Sequence, residues 1–185
     1  FRLGFAEKDE KNAEEFFKKN NLTKTDLKNL GLLSERGNFL FKNRIIFPIT
    51  NLRNETVGFG GRALDDFGPK YINTAESSIY RKNRSLYFTS EFLSDLKKKK
   101  FVILVEGYFD VIAFNKLGFN NVASPSGTAL TVQQINLLSR YTKEIYLCFD
   151  NDEAGDSATE RVLEIKNSQP SEVNFFKLNL SKEFK

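Results

Sequence analysis

The chain of 185 residues contains no histidine, methionine or tryptophan, and only one cysteine. Without histidine, catalysis by Ser-His-Asp or Cys-His groups and the zinc sites of hydrolases are excluded. A single cysteine, Cys148, excludes a disulfide framework and a cysteine-based zinc cluster. Its place in an apolar run indicates a reduced, buried thiol, as is usual in cytoplasmic proteins. Any chemistry must therefore rest on carboxylates, lysine, arginine, hydroxyl groups or a bound metal ion.

Long apolar runs are also absent, since none approaches the roughly 20 residues of a membrane-spanning helix, and the chain shows no secretory signal. We therefore expect a cytoplasmic protein that does not contact membranes. Methionine is missing even at position 1, which indicates a segment of a longer protein. What the chain does have is 40% hydrophobic residues, including 19 Phe. That is enough apolar volume for one core or two small ones.

The net charge of +4 conceals an uneven distribution along the chain. Residues 36–100 carry 13 basic and 6 acidic side chains, whereas residues 101–185 carry 8 basic and 11 acidic ones. A basic segment can be a solvated face, or it can bind a polyanion. Composition alone leaves both interpretations open.

The first part of the chain, residues 1–100, is predicted to form a smaller, basic subdomain of mixed α+β structure. Two short helical patterns come first, at residues 13–19 and 26–30. Phe16 and Phe17 are both expected to face inward from the first of these helices.

Short strands are predicted over residues 38–62, with a break at Gly60-Gly61. The glycine pair permits close approach of another backbone or of a ligand phosphate, and Arg62 follows it directly; a simple bulge explains the pair equally well. Downstream, basic residues such as Lys70 and Lys82 are interleaved with tyrosines. This composition suits single-stranded nucleic acid, because cations meet phosphates and rings stack on bases. A loop whose rings pack internally has the same composition.

From residue 101 onwards, apolar strands alternate with helices, which predicts an α/β subdomain over residues 101–185 with a parallel sheet and flanking helices. The predicted strands are 101–106, 121–124, 144–149 and 172–177, and the predicted helices are 109–117, 131–141 and 153–167. Ligands bind at the carboxyl ends of the strands in such sheets. The segment SPSGT, residues 124–128, is expected at that edge, where it caps a helix or holds an anion.

Carboxylates follow two of these predicted strands. Glu106 ends the first, with Asp110 four residues later, and Asp150 and Asp152 follow the strand YLCF. Clustered carboxylates repel one another unless they are protonated or bind a cation. Mg²⁺ binds through one or two carboxylates plus waters and phosphates, so the residues predict a divalent-metal site suited to phosphoryl transfer. A D-x-D pair by itself is a weak signal that also suits a turn or a helix cap.

Several ordered motifs resemble one known family. VEGYFDVIA, ASPSGTALT and CFDNDEAG resemble the Toprim domain in the form found in bacterial replicative primases of the DnaG type. KNRIIFPI, GFGGRAL, GPKYINTAE and IYRKNRSLY resemble the subdomain that precedes it in the primase core. The resemblance covers nearly the whole chain. It implies an enzyme that makes RNA primers on single-stranded DNA templates from nucleoside triphosphates during replication, with Mg²⁺ or Mn²⁺ as cofactor.

The resemblance also implies roles for single residues. Glu106 matches the catalytic acidic residue of the family and is a metal-ligand candidate as well. Asp110 matches the aspartate of the EGYxD motif, and Asp150 and Asp152 match the principal metal ligands. The basic positions that line the template and nucleotide path of the family are matched by Arg44, Arg62, Lys70 and Lys82.

One feature of the family is missing from these residues. Family members usually carry a further acidic D-P-D motif after the last strand, but residues 175–185 read FFKLNLSKEFK. A complete second metal site is therefore not predicted from this chain. The zinc-binding and helicase-binding domains of the family also have no counterpart here, so the replicative helicase is expected to bind through a domain absent from this chain.

Two other functions fit the same residues. The chain could be a single-stranded DNA-binding module whose acidic residues hold a structural metal ion. It could also be another Toprim enzyme, a nuclease or a topoisomerase-like cleaver. Strand-cleaving topoisomerases use a nucleophilic tyrosine from outside this domain, and no tyrosine here is identified as one. Product analysis separates a primase, which lengthens a polymer, from a Toprim cleaving enzyme, which breaks a strand.

Overall fold

The computed structural model describes residues 1–66, 68–127, 129–168 and 172–178. The chain divides into two compact units, Phe1–Lys82 and Asn83–Lys185, called here the first and second units. This division lies before the subdomain boundary predicted at residue 100. The reason is that Tyr87 exchanges two backbone hydrogen bonds with Ser124, which ties the segment before the parallel sheet to the second unit.

The first unit is built on a four-stranded antiparallel sheet in the order β1-β2-β3-β4. Its strands are β1 (Gly4–Ala6), β2 (Arg44–Thr50), β3 (Thr56–Ala63) and β4 (Tyr71–Asn73), and its helices are α1 (Lys11–Lys19) and α2 (Lys24–Asn29). The predicted mixed α+β structure of this part of the chain is therefore confirmed.

The glycine pair does not interrupt β3, so the predicted break at Gly60-Gly61 is wrong. Every residue of β2 from Arg44 to Ile49 pairs in continuous register with β3, and the only shift between them lies at Ile49/Thr50. A Cβ atom on Gly61 would lie 2.6 Å from the ring of Phe41, which is closer than real contacts allow. Glycine is needed here because a ring packs directly on the strand.

Helix α1 packs through one of its two phenylalanines. Phe17 stacks on Phe39 with ring centroids 5.7 Å apart, whereas Phe16 is 60% exposed. The prediction that both face inward is wrong for Phe16, because neighbouring positions on a helix point about 100° apart. Helix α2 begins at a capping box in which Thr23 and Asp26 bond each other's backbone N–H groups.

The second unit is an α/β structure with a parallel sheet in the order β6-β5-β7-β8. Its strands are β5 (Phe101–Val105), β6 (Val122–Ala123), β7 (Glu144–Cys148) and β8 (Asn174–Lys177). Its helices are α3 (Phe92–Lys99), α4 (Tyr108–Lys116), α5 (Val132–Leu138) and α6 (Glu153–Ser168). The predicted fold class, a parallel sheet with helices between its strands, is confirmed, and each of the four predicted strands is present.

The core of the second unit lies around β5. Val102, Leu104 and Val105, which point to both faces of the sheet, are each 0% exposed. β5 is also paired on both sides, by β6 and β7. A strand buried in this way needs a continuous apolar sequence rather than an alternating one, as FVILV provides. Among the helices in the described residues, none is both long and apolar enough to cross a membrane.

Candidate functional site

The carboxyl ends of β5 and β7 lie side by side, since Val105 pairs with Cys148. Glu106 follows β5 directly, and its Oε1 accepts a 2.8 Å hydrogen bond from the backbone N–H of Asp150. This bond joins two acidic motifs that are 44 residues apart in the sequence. The two strand ends that carry the acidic motifs are therefore neighbours in the sheet.

Asp110 lies in the first turn of α4, on the chain that leaves β5. Its Oδ2 accepts a 2.8 Å hydrogen bond from the backbone N–H of Gly107, so the carboxylate caps the start of the helix. The surrounding protein desolvates this carboxyl group and raises its pKa, and the negative charge of Asp150 acts in the same direction. Asp110 thus has a capping role in addition to its place beside the other acids.

Four acidic residues lie at this edge of the sheet and interact electrostatically. They are Glu106, Asp110, Asp150 and Asp152, and they are called here the acidic edge. Burial raises the pKa of Glu106, and the charges of the three aspartates raise it further, against the effect of the bond from Asp150. In the described parts of the chain, no lysine or arginine forms an ion pair with these carboxylates. The acidic edge therefore carries negative charge that protein cations do not balance.

Gly155 fixes the backbone of the loop that carries two of these acids. It lies in the first turn of α6, and its N–H donates a 2.9 Å hydrogen bond to Oδ1 of Asp152. A Cβ atom at this position would lie only 2.0 Å from the carbonyl oxygen of Asp150. The helix can approach the loop this closely only because residue 155 has no side chain.

Ser124 supports the acidic edge from the end of β6. Its Oγ donates a 2.7 Å hydrogen bond to the carbonyl oxygen of Glu106 and accepts one of 2.8 Å from the N–H of Ser126. The SPSGT segment was predicted at this edge, but the contact between Ser124 and Glu106 was not. The helix cap on this side is Thr131, whose Oγ1 accepts from the N–H of Gln134, while Thr128 lies outside the described residues.

The acidic edge fits a hydrated divalent cation better than a fully enclosed one. Within the described residues, no three acidic or cysteine side chains are gathered closely enough to form a ready metal cage. Mg²⁺ commonly keeps several waters and uses only one or two protein carboxylates. The donors available are all oxygens, Asp150 and Asp152 are exposed, and the uncompensated charge at Glu106 favours a cation.

Arg44, one of the four basic candidates, is directed into its own unit. The residue is 6% exposed, and its Nη1 donates to the carbonyl oxygens of Gly61, Pro69 and Lys70 at 3.4, 2.9 and 3.5 Å. These bonds hold the chain that connects β3 and β4. The geometry favours a structural role for Arg44 over direct contact with a ligand.

The remaining basic candidates are more accessible. Arg62 pairs across the sheet with Tyr71, and its guanidinium carbon lies 5.7 Å from the centroid of that ring. Tyr71 is 41% exposed, and the neighbouring Lys70 is exposed. Lys82 is half-buried, and its backbone N–H donates to Oε1 of Glu76. A cation beside an exposed ring is suited to a phosphate next to a stacked base.

Comparison with known families matches both parts of the chain. The family described as "DNA primase catalytic core, N-terminal domain" matches residues 1–93, and the family described as "Toprim-like" matches residues 103–184. Together these matches leave only residues 94–102 and residue 185 uncovered.

Three known proteins illustrate the similarity. A DNA primase of Rickettsia bellii is 40% identical over 169 residues, which are 89% of this chain and 28% of that protein. The crystal structure of the zinc-binding and RNA polymerase domains of Aquifex aeolicus primase matches with a TM-score of 0.86 and 37% identity, over 96% of this chain and 44% of that one. A DnaG primase catalytic domain bound to single-stranded DNA matches with a TM-score of 0.84 and 32% identity, over 96% of this chain and 57% of that one. The chain thus spans less than a third of the R. bellii relative.

Proposed function

The chain belongs to the DNA primase catalytic core family, and on that premise we propose that it is part of an enzyme that synthesises RNA primers on single-stranded DNA in replication. The observation that carries this proposal is the bond between Glu106 and Asp150, which places both acidic motifs at one end of the parallel sheet. Ligands bind at this end in open α/β sheets. The enzyme would work in the cytoplasm at the replication fork and would meet the replicative helicase through a domain outside this chain.

We propose that Glu106, Asp150 and Asp152 hold Mg²⁺ or Mn²⁺. When bound, the ion neutralises the triphosphate and stabilises charge on the transferring phosphoryl group. The support for this assignment is the excess negative charge of the acidic edge and the exposure of its two aspartates.

Glu106 is also our candidate for proton transfer. The primer 3′-hydroxyl oxygen forms a bond to the α-phosphorus, the bond to the β-phosphate oxygen breaks, and pyrophosphate leaves. Oε1 of Glu106 is held by the N–H of Asp150, which orients the carboxylate and leaves Oε2 for the hydroxyl proton. Asp110 assists by fixing the turn that follows Glu106.

We propose that the template contacts the first unit through Lys70, Arg62 and Tyr71. The support is the exposed ring with a cation beside it, together with the similar DnaG domain that was solved bound to single-stranded DNA. Lys82 is a further candidate for nucleotide or template phosphates. Arg44 would contribute by holding the β3–β4 connection in place rather than by touching DNA.

The decisive experiment is extension of a short RNA primer annealed to a DNA template, with Mg²⁺ or Mn²⁺. Annealing removes the initiation step, so that only nucleotidyl transfer is tested. Growth should occur with the wild-type chain and be lost in Glu106→Gln and Asp152→Asn, with folding and DNA affinity retained. Glu164→Gln is the matched control, since it removes the same charge from an exposed position of α6.

Other outcomes would point to the alternative functions. DNA binding that is indifferent to metal and triphosphates, without primer growth, would identify a binding module with a structural metal. Strand breakage in place of growth would identify a Toprim nuclease or a topoisomerase-like enzyme.

A further inference from the structure

A cleft of about 240 Å³ opens beside the acidic edge in the second unit. Among the described residues, two charged side chains line it, Glu106 at the end of β5 and Arg161 on α6. The other lining residues are small or apolar, among them Pro125, Leu130, Phe149, Ala154 and Ala158. The cleft therefore combines one carboxylate of the acidic edge with one cation in mostly apolar surroundings.

Helix α6 shapes this cleft through its periodicity. Ala154, Ala158 and Arg161 follow one another at four and three residues, so they occupy one face of the helix. The two alanines leave space, and Arg161 lines the cleft from the same face. Arg161 is exposed, and within the described residues it makes no hydrogen bond or ion pair. Its five N–H donors are therefore available to a ligand.

We propose that Arg161 binds the β- or γ-phosphate of the incoming nucleoside triphosphate, in this cleft beside Glu106. The inference rests on the proposed function, and it assigns a substrate-binding residue that the sequence motifs do not mark. The guanidinium group matches phosphate oxygens with two parallel hydrogen bonds.

The size and charge of the cleft define what it holds. Sites that enclose a whole small molecule measure roughly 300–1,000 Å³, so this smaller cleft accepts part of a nucleotide, such as its phosphate tail. Glu106 repels a phosphate unless a divalent cation lies between them. Nucleotide binding through Arg161 should therefore require the cation. Chelation of the cation with EDTA should abolish this binding.

The test is nucleotide binding by the whole chain, measured by anisotropy of a fluorescent ATP analogue with Mg²⁺ and by competition with ATP, ADP and AMP. Arg161→Gln should weaken ATP about 10-fold or more, the usual effect of losing a hydrogen bond to a charged group, and should affect AMP far less. Arg161→Lys should be intermediate, because it keeps the charge but loses the paired geometry. Lys166→Gln, also on α6, is the charge-matched control and should bind like wild type.

Several results would overturn the inference. One is an Arg161→Gln variant that binds ATP with wild-type affinity. Another is an equal loss of affinity for ATP and AMP, which would indicate a packing effect. Such an effect would also lower the melting temperature. A loss of single-stranded DNA affinity with unchanged ATP binding would assign the arginine to a nucleic-acid phosphate instead.

Primer extension by the wild-type chain separates this question from the proposed function. Failure of that assay with both metals counts against primer synthesis, whereas a failed Arg161 test beside active wild type counts only against this residue.

Discussion

Arg44 and Lys70 illustrate how burial decides the role of a basic residue. Both come from the basic part of the chain, and both are predicted from the family resemblance to lie along the template path. Arg44 donates to backbone carbonyls inside the first unit, whereas the side chain of Lys70 is exposed. The sequence indicates the positive charge of each but not the partner, because the carbonyls that Arg44 bonds belong to residues 17 to 26 positions away.

Arg44→Ala should destabilise the chain by about 1–3 kcal/mol, because buried carbonyl groups lose a charged donor. Lys70→Ala should change stability by no more than about 0.5 kcal/mol, as is usual for exposed positions. Chemical denaturation of both variants measures the difference. Equal stabilities would mean that water replaces the guanidinium without cost and that Arg44 has no structural role.

Gly155→Ala should disturb the acidic edge without changing any acidic residue. The new Cβ atom would overlap the carbonyl oxygen of Asp150, so the loop must move, at a cost of about 1–3 kcal/mol for overpacking. We expect lower stability together with reduced metal-dependent primer extension. Gly4→Ala is the control, because its Cβ atom would make an ordinary 3.6 Å contact with Ile46. Activity that is unchanged in Gly155→Ala would show that the loop tolerates displacement.

At the scale of elements, the pattern of the second unit was predictable because buried parallel strands are continuous apolar runs. Glu106 and Asp150 could be placed at strand ends for the same reason. Some of the errors come from contacts that are distant in sequence, whereas the error at Phe16 comes from the local geometry of a helix. The break expected at Gly60-Gly61 does not occur because Phe41 packs on β3. Likewise, Arg161 carries no local motif and is recognised only where α6 meets the cleft.

Without bound metal, the carboxyl groups beside the ends of β5 and β7 should make the chain less stable as the pH rises. The pKa values of Glu106 and Asp110 are raised, so the folded chain retains protons that the unfolded chain releases above about pH 4. Stability from these groups is complete below that range and is lost as the pH rises through their raised pKa values. Carboxyl groups with a lowered pKa, such as Asp95 beside Lys99, titrate below this window.

Thermal melting in EDTA tests this expectation. Wild type should melt at a lower temperature at about pH 8 than at about pH 5, and the difference should shrink in Glu106→Gln. Added Mg²⁺ should raise the melting temperature more at the higher pH, because it binds the ionised carboxylates. An increase in stability with pH in EDTA would contradict the raised pKa values.

For the molecule as a whole, charge is unevenly divided, with the excess of basic residues before position 100 and the excess of acidic residues after it. Binding of single-stranded DNA by the whole chain should therefore weaken as salt increases. Each phosphate contact adds about 0.7 to the slope of log K against log salt.

Lys70→Ala and Arg62→Ala should each reduce that slope by about 0.7, while Asp152→Asn should leave it unchanged. Fluorescence anisotropy with a labelled single strand, measured over a range of salt concentrations, provides the comparison. An unaltered slope in the two basic variants would place the DNA elsewhere on the chain.

The position of β5 between β6 and β7 has a consequence for biosynthesis. A ribosome adds about 5–20 residues per second, so β5 is made some seconds before the strand that completes its pairing. During this interval an apolar strand has unpaired edges, a state prone to wrong association. Glu106 gains its hydrogen-bond donor only when the chain, 44 residues later, reaches Asp150. The acidic edge is thus formed late in the synthesis of this segment, and a nascent chain that stops before β7 lacks it.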